Sequence, residues 1–498
     1  MGLLQQTKNF IKENKICFGL FLIATLFFIL QHYFDLAWDF ASYVLNAKYL
    51  FWGGSYFEVY RAPLISLILG PLLVFGKFAE YLFILLISGL FFYSVINLSD
   101  ALYLRYFHKY RVKKEFLRIL FVFFCLNPFV LIHGLLTGTE LLGISFFILF
   151  LVSFIKGKIS GHWLALAVLS RYNFLIFLPF LFFNKDWKKI LKNIGLFIAF
   201  LFPWLLFNFL KYGNWFTSIL DSYHLNVLSR ESLTEAFQLS QLLPVFNWFI
   251  IFFVLGMAVV IWKIFKKYPL KSFKYEILFL VIGLLFFYDF YTTPYKIIRY
   301  TFNLFLPIAF FCVLGIAFFS NKIKKRENLE KIKNILMITL ILGFTISLIF
   351  LVNIGKNNYY SHDIYLNAQN DLKDLGLENC TVLSPHWAPL NYYNENSVLL
   401  ASEMEEAISE RNVIVIFKGM STKDDTFDHD DLENYPIILE KGNYYIFGKE
   451  NLSQKNCNAW EGYDSPMVRN SCDVVSEKFK GSFLEETATK TCNLINFS

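Results

Sequence analysis

The chain has 498 residues, of which 56% are hydrophobic, 20% aromatic and only 17% charged, with 60 Phe and a formal net charge of +7. A soluble domain carries about 25% charge, so this composition excludes an ordinary soluble protein and marks a polytopic membrane protein. The positive excess then reports basic cytoplasmic loops rather than nucleic-acid binding, and no basic-aromatic stripe or nucleic-acid motif is present.

Read in order, residues 1–15 are basic and lead into an apolar run at 16–34 without a small-residue cleavage site. The run reads as an uncleaved first span, with a signal peptide as the alternative. With Lys8, Lys12 and Lys15 inside, that span delivers the segment from Asp35 to Pro63 to the outer face. Asp35, Asp39 and Glu58 lie there beside hydrocarbon, where ionisable groups are costly and point to function. Residues 63–75 are short for a span and read as an interfacial or re-entrant helix. The run 79–104 returns to the cytoplasmic Arg105–Arg118 cluster. Spans at 119–133 and 141–155 follow, joined outside by His133-Gly134 and Thr137-Gly138-Thr139-Glu140. The run 162–184 has Arg171 at its middle and Lys158 and Lys185–Lys189 at its ends, so it reads as two short spans turning outside at Ser170-Arg171-Tyr172-Asn173. Further spans are expected at 190–210, 245–262, 275–290, 302–320 and 334–353, with outer loops at 211–243 and 289–300. The expected fold class is thus a polytopic α-helical membrane protein of about eleven spans, N-terminus in and C-terminus out.

Beyond 353 the apolar runs shorten to strand length. A helix is expected at 363–375, strands at 381–383, 398–400 and 413–417, a helix at 403–411, and a hairpin of 435–439 with 444–447 around Lys441-Gly442-Asn443. The division is a membrane domain at 1–353, a small extracytoplasmic α/β domain at 354–450, and a polar, Cys-containing and loosely ordered tail at 451–498. Cys17, Cys125 and Cys312 lie in apolar spans and read as packing residues. Cys380, Cys457, Cys472 and Cys492 lie in the region placed outside, where they allow two disulfides of open connectivity; a structural zinc site is the rival reading. Sequons begin at Asn379 and Asn451.

The outer face collects Asp39, Glu58, Arg61, Glu140, Arg171, Lys296 and Arg299. Sugar transfer from a polyprenyl phosphate needs this mixture. The leaving group is already an anion held by Arg or Lys, an acceptor hydroxyl needs a carboxylate for its proton, and an oxocarbenium-like transition state gains from nearby negative charge. Bland readings stand beside these. Asp35 reads as an end-of-span cap; Asp39 and Glu140 read as active-site acids or as helix-capping acids; Arg171 and Arg299 read as phosphate ligands or snorkelling interface residues. His133 and His224 read as ordinary loop residues. A divalent ion between Asp39 and Glu140 is the one metal candidate, and no ligand spacing demands it.

Several motifs in order resemble those of the GT-C integral-membrane glycosyltransferases, close to the protein O-mannosyltransferases and the aminoarabinose transferases of lipid A. They are Asp39-Phe-Ala-Ser-Tyr43 with Asn46-Ala, Tyr56-Phe57-Glu58-Val-Tyr60-Arg61-Ala-Pro63, Thr139-Glu140, Ser170-Arg171-Tyr172, and Lys296-Ile-Ile-Arg299-Tyr300 followed by Pro307. The resemblance implies an inverting glycosyltransferase that moves a monosaccharide from a dolichyl- or undecaprenyl-phosphate donor to an extracytoplasmic protein, glycan or lipid. It makes Asp39 the catalytic acid of the first outer loop and Glu140 a further acid of the site. It assigns Glu58, Arg61, Arg171, Lys296, Arg299 and Tyr300 to substrate binding. No Trp-Trp-Asp-Tyr-Gly-like motif is present, which argues against en bloc oligosaccharide transfer to Asn, and no second acid follows Asp39, which leaves the sugar open. A secondary transporter or lipid flippase is the alternative; it would place charges at the bilayer midplane and carry inverted repeats.

Overall fold

The computed structural model describes residues 13–110, 112–136, 138–183, 186–228, 234–322, 334, 337–346, 348–349, 361–400, 411–418, 435–448, 452–453, 455–464 and 480–481. Among these, five helices are long and apolar enough to cross a membrane: Lys15–Phe34, Phe78–Arg105, Trp187–Tyr212, Leu239–Phe265 and Ile298–Asn321. Shorter apolar helices fill the bundle between them, at Leu64–Phe75, Glu140–Ile155, Gly161–Ser170, Tyr172–Phe182 and Met337–Ile346. Helices Ile250–Phe265 and Phe305–Lys322 pack at small residues. A Cβ on Gly256 would overlap the Phe311 carbonyl, so the close approach of the two backbones requires a residue without a side chain.

Where polar residues interrupt apolar runs, the helices break. The single span expected at 119–133 is instead two helices, Lys114–Cys125 and Pro128–His133. Asn127 starts the second by accepting the Val130 amide at 2.9 Å, and Pro128 takes the first-turn position where no amide is needed. The break expected at Arg171 is present. Helix Gly161–Ser170 ends there, Arg171 is extended (φ −155°, ψ 122°), and a 3-10 helix runs over Tyr172–Phe182. The expected span at 275–290 is helix Lys274–Thr292. The last expected span, 334–353, falls partly outside the described residues.

The segment after the first span is not a loop but a helix, Trp38–Trp52, closed by Gly53 in the left-handed region (φ 72°). Every residue from Phe40 to Ala47 is buried. One side of it packs on the short helix Leu64–Leu72 and the other on helix Trp387–Tyr393 of the C-terminal domain. A helix covered on all sides has no amphipathic stripe, which is why its period is invisible in the sequence.

The C-terminal domain is α/β. Helix His362–Asp374 covers a five-stranded sheet of order β3-β2-β4-β6-β5, with β2 Val382–Ser384, β3 Ser397–Leu399, β4 Val413–Phe417, β5 Ile437–Glu440 and β6 Tyr444–Phe447. Strands β3, β2 and β4 are parallel, and β5 and β6 form the expected antiparallel hairpin. The helix expected at 403–411 lies largely outside the described residues. Leu36 and Ala41 of the membrane-proximal segment sit inside this domain's core, so the two parts share apolar surface rather than meeting through a linker. Polar clasps fix the junction. Tyr392 donates to Glu80 at 2.7 Å, Lys48 donates to the Tyr392 carbonyl at 3.2 Å, and Glu395 accepts from the Ser55 amide at 2.5 Å.

The tail is not loose throughout. Cys457 is disulfide-bonded to Cys380 across 77 residues, and β7, Tyr463–Asp464, pairs in parallel with β1, Tyr56–Phe57. Cys472, Cys492 and Asn451 lie outside the described residues, and Cys17, Cys125 and Cys312 are buried and free. Closing a loop of that length is worth about 4 kcal/mol in the chain-entropy account. Cys457→Ser is therefore expected to lower the melting temperature of the purified protein by several degrees and to speed proteolysis of the C-terminal domain; an unchanged melting curve would show that docking of β7 alone secures this region.

Candidate active site

Asp39 occupies the first turn of helix Trp38–Trp52, where a negative charge is favoured by the unpaired amides of the helix start. Its two oxygens face two guanidiniums. Oδ1 accepts from Arg61 Nη1 at 2.5 Å and Oδ2 pairs with Arg299 Nη2 at 2.6 Å. Arg61 comes from the turn after β1 and Arg299 from the 3-10 helix Ile298–Leu304, so two arginines 238 positions apart in sequence meet on one carboxylate. Burial alone would raise the Asp39 carboxyl, but Arg299 and Arg61 together outweigh it and hold the group well below the ordinary carboxylate range.

Glu58 is almost fully buried, 1% exposed. Its Oε2 accepts from Arg61 Nε at 2.5 Å. Its backbone is clamped by Asn46, whose Oδ1 accepts the Glu58 amide at 2.8 Å and whose Nδ2 donates to the Glu58 carbonyl at 2.9 Å. Arg61 therefore bridges two carboxylates, with its plane over the rings of Tyr43 and Tyr60 and its Nη2 donating to Ser42 Oγ at 3.3 Å.

Glu140 opens helix Glu140–Ile155 and is 2% exposed. Its Oε1 accepts from Arg171 Nη1 at 2.8 Å and its Oε2 from Thr139 Oγ1 at 2.9 Å. The helix break frees Arg171 to turn toward this acid. Beside it, Asn173 donates to Asp289 Oδ2 at 2.9 Å, a polar contact the sequence did not single out. The two acid–arginine groups are neighbours. Burial pushes the Tyr43 phenol up, and the charges of Arg61, Asp39, Arg171 and Glu140 all act on that one side chain.

Seven of the eight expected site residues fall in this region. Asp39, Glu58, Arg61 and Arg299 form one continuous network, Glu140 and Arg171 form a second beside it, and Tyr300 lies against the Arg299 guanidinium at 5.7 Å. Lys296 is the exception. Its ammonium donates to the carbonyls of Phe290 at 3.2 Å, Tyr291 at 2.6 Å and Thr293. Helix Lys274–Thr292 leaves its last carbonyls without amide partners, and a cation there satisfies them. All three Lys296 donors are engaged by backbone carbonyls, so Lys296 stands apart from the two acid–arginine networks. Among the described residues no three His, Cys, Asp or Glu side chains converge as metal ligands would, and Asp39 and Glu140 each face a guanidinium rather than one another.

Arg299 keeps one feature that the ion pairs do not use: its Nε is buried and makes no hydrogen bond among the described residues. A buried guanidinium N–H without an acceptor is costly, and an anion arriving beside Asp39 would supply one.

The fold is similar to that of ArnT. The crystal structure of ArnT from Cupriavidus metallidurans bound to undecaprenyl phosphate matches with a TM-score of 0.55 at 8% sequence identity, over 90% of this chain and 99% of that one. Neither a protein-family model nor a curated protein sequence matches the chain. The likeness is one of architecture alone: the chain has an ArnT-like fold.

Because the folded-state carboxyl of Asp39 is depressed, its pairing contributes fully above the unfolded-state value of about 3.9 and is lost as pH falls below it. Asp39→Asn leaves two guanidiniums around a neutral amide. In detergent the variant should melt lower than wild type at pH 6–7, and the gap should narrow below about pH 4. A gap independent of pH would show that the carboxylate charge is not what holds this corner together.

Proposed function

We propose that the protein is an inverting glycosyltransferase that moves one sugar from a polyprenyl-phosphate carrier to an acceptor hydroxyl on the outer face of the membrane. The observation that carries this reading is a carboxylate, Asp39, shared by two arginines, one of which retains a buried, unpartnered N–H. Such a site suits a reaction with one anionic leaving group and one proton to remove. The similarity in fold to a protein crystallised with undecaprenyl phosphate supports a lipid-phosphate donor.

In this reading Asp39 is the general base. As the acceptor oxygen forms its bond to the anomeric carbon, the bond from that carbon to phosphate breaks, the polyprenyl phosphate leaves, and the acceptor proton passes to Asp39. In the resting arrangement Asp39 is a weak base, since both oxygens are held by guanidiniums. A donor phosphate that takes over Arg299 would lift that restraint while gaining the fork geometry that guanidinium offers phosphate. Arg171 supplies a second cation within the same region. Glu140 orients Arg171 and adds negative charge near the developing oxocarbenium. Glu58 shares Arg61 with Asp39 and keeps it from satisfying the base completely. The site lies on the face reached by the end of helix Lys15–Phe34. A second polar layer, Asp100 with Arg118 and Glu276 with Lys263, lies at the far end of helix Phe78–Arg105, on the side with the basic loops. Donor and acceptor meet outside the cytoplasm on this account, with the C-terminal domain packed over the base. Protein, glycan and lipid acceptors all carry the hydroxyl that this chemistry needs.

The test uses the purified full-length protein in lipid nanodiscs, radiolabelled hexoses on undecaprenyl phosphate, and an acceptor fraction from the native membrane. Asp39→Asn should lower transfer by at least about 100-fold. Arg299→Ala should raise the donor KM by about tenfold, as for loss of a charge-assisted contact, with Arg299→Lys intermediate. Full transfer by Asp39→Asn, or counterflow of donor without bond cleavage, would overturn the reading and favour a transporter or flippase.

A further inference from the structure

The acid network does not end at Glu58. Its second oxygen, Oε1, accepts the hydroxyl proton of Tyr56, and the Tyr56 oxygen in turn accepts from Trp387 Nε1 at 2.7 Å. Tyr56 is fully buried in β1, and its ring stacks on Tyr463 of β7 with centroids 4.9 Å apart and planes 18° from parallel. Trp387 begins the helix that covers Trp38–Trp52, and its ring meets Trp38, the neighbour of Asp39, at 4.5 Å. Both partners of Tyr56 belong to the C-terminal region.

Every hydrogen bond in this line has a forced direction. Indole N–H only donates, a carboxylate only accepts, and guanidinium only donates. Trp387 therefore fills an acceptor position on the Tyr56 oxygen, leaving that hydroxyl's own proton for Glu58. With Oε1 satisfied by Tyr56, Glu58 presents Oε2 to Arg61 Nε, the Tyr60 hydroxyl also reaches the Glu58 carboxylate, and the planar guanidinium is left with Nη1 aimed at Asp39. Such chains strengthen link by link in a buried setting.

We propose that Tyr56 and Trp387 are positioning residues: through Glu58 and Arg61 they set how much of the Arg61 charge reaches Asp39, so the site is complete only when the C-terminal domain is docked. This rests on Asp39 being the base. Without the Tyr56 hydroxyl, a fully buried carboxylate oxygen lacks its donor, and the donors left beside Glu58 are the Arg61 guanidinium and the Tyr60 hydroxyl; of these only Arg61 carries the charge that a buried carboxylate needs. Arg61 would turn toward Glu58 and away from Asp39, changing both the place and the basicity of the catalytic group while Arg299 and Arg171 still face the donor.

The experiment uses full-length Tyr56→Phe, Trp387→Phe, the double variant and Asp39→Asn in nanodiscs, with the same undecaprenyl-phosphate-linked hexoses. Rates are scaled to the fraction that binds undecaprenyl phosphate, which removes misfolded protein from the comparison. Tyr56→Phe should lower kcat by about tenfold, leave the dissociation constant for undecaprenyl phosphate within about twofold, and move the acid limb of the pH–rate profile upward. Trp387→Phe should act in the same direction, and the double variant should be no worse than Tyr56→Phe alone, as expected for two members of one line. Wild-type kcat and pH profile in Tyr56→Phe, with Asp39→Asn inactive, would overturn the positioning role and leave the proposed chemistry standing. Additive losses in the double variant would also overturn it. Full transfer by Asp39→Asn would overturn the assignment of the base, and the positioning role with it.

Discussion

The structure depends on matching buried charges one against another. Asp39, Glu58 and Glu140 are opposed by Arg61, Arg299 and Arg171 at hydrogen-bonding distance. A lone ionised group at this depth would cost several kcal/mol or more; paired and hydrogen-bonded, the six are tolerated beside hydrocarbon. Acids and guanidiniums are equal in number, and Arg299 keeps a buried Nε with no hydrogen-bond partner among the described residues.

The backbone features that deliver these side chains are interruptions of regular structure. Asp39 and Glu140 stand in the first turns of their helices, Arg171 stands where a helix stops and a 3-10 helix starts, and Arg299 stands in the 3-10 turn leading into helix Phe305–Lys322. Helix ends leave backbone groups unpaired, so they are the places in an apolar bundle where polar side chains find company. Lys296 follows the same rule: its ammonium caps the open carbonyls at the end of helix Lys274–Thr292.

Covering this face with a second domain solves a further problem. Helix Trp38–Trp52 is apolar along much of its length, and neither lipid nor water surrounds it. The α/β domain supplies the missing wall, taking Leu36 and Ala41 into its own core and locking on through Ser55, Tyr56 and the Cys380–Cys457 link that ties the β7 segment to the sheet. The segment that carries Asp39 is therefore held from both sides, by the helical bundle and by the sheet domain.

What the sequence determined by itself were the properties that depend on composition and neighbours: a membrane bundle rich in Phe, a helix break at Arg171, a small α/β domain after the bundle. Burial cost is a local quantity, so charged residues within apolar runs could be recognised as exceptional, and Asp39, Glu140, Arg171 and Arg299 stood out for that reason. Tertiary structure alone decided the pairing. That Arg61 divides itself between Asp39 and Glu58, that Lys296 folds back on its own helix, and that Tyr56 is gripped by Trp387 and Tyr463 all rest on contacts between segments up to several hundred residues apart. Tyr56 and Trp387 are ordinary aromatic residues among many, and no local pattern separates them from packing residues. Hydrogen-bond direction and distance do, and those exist only once the chain has folded.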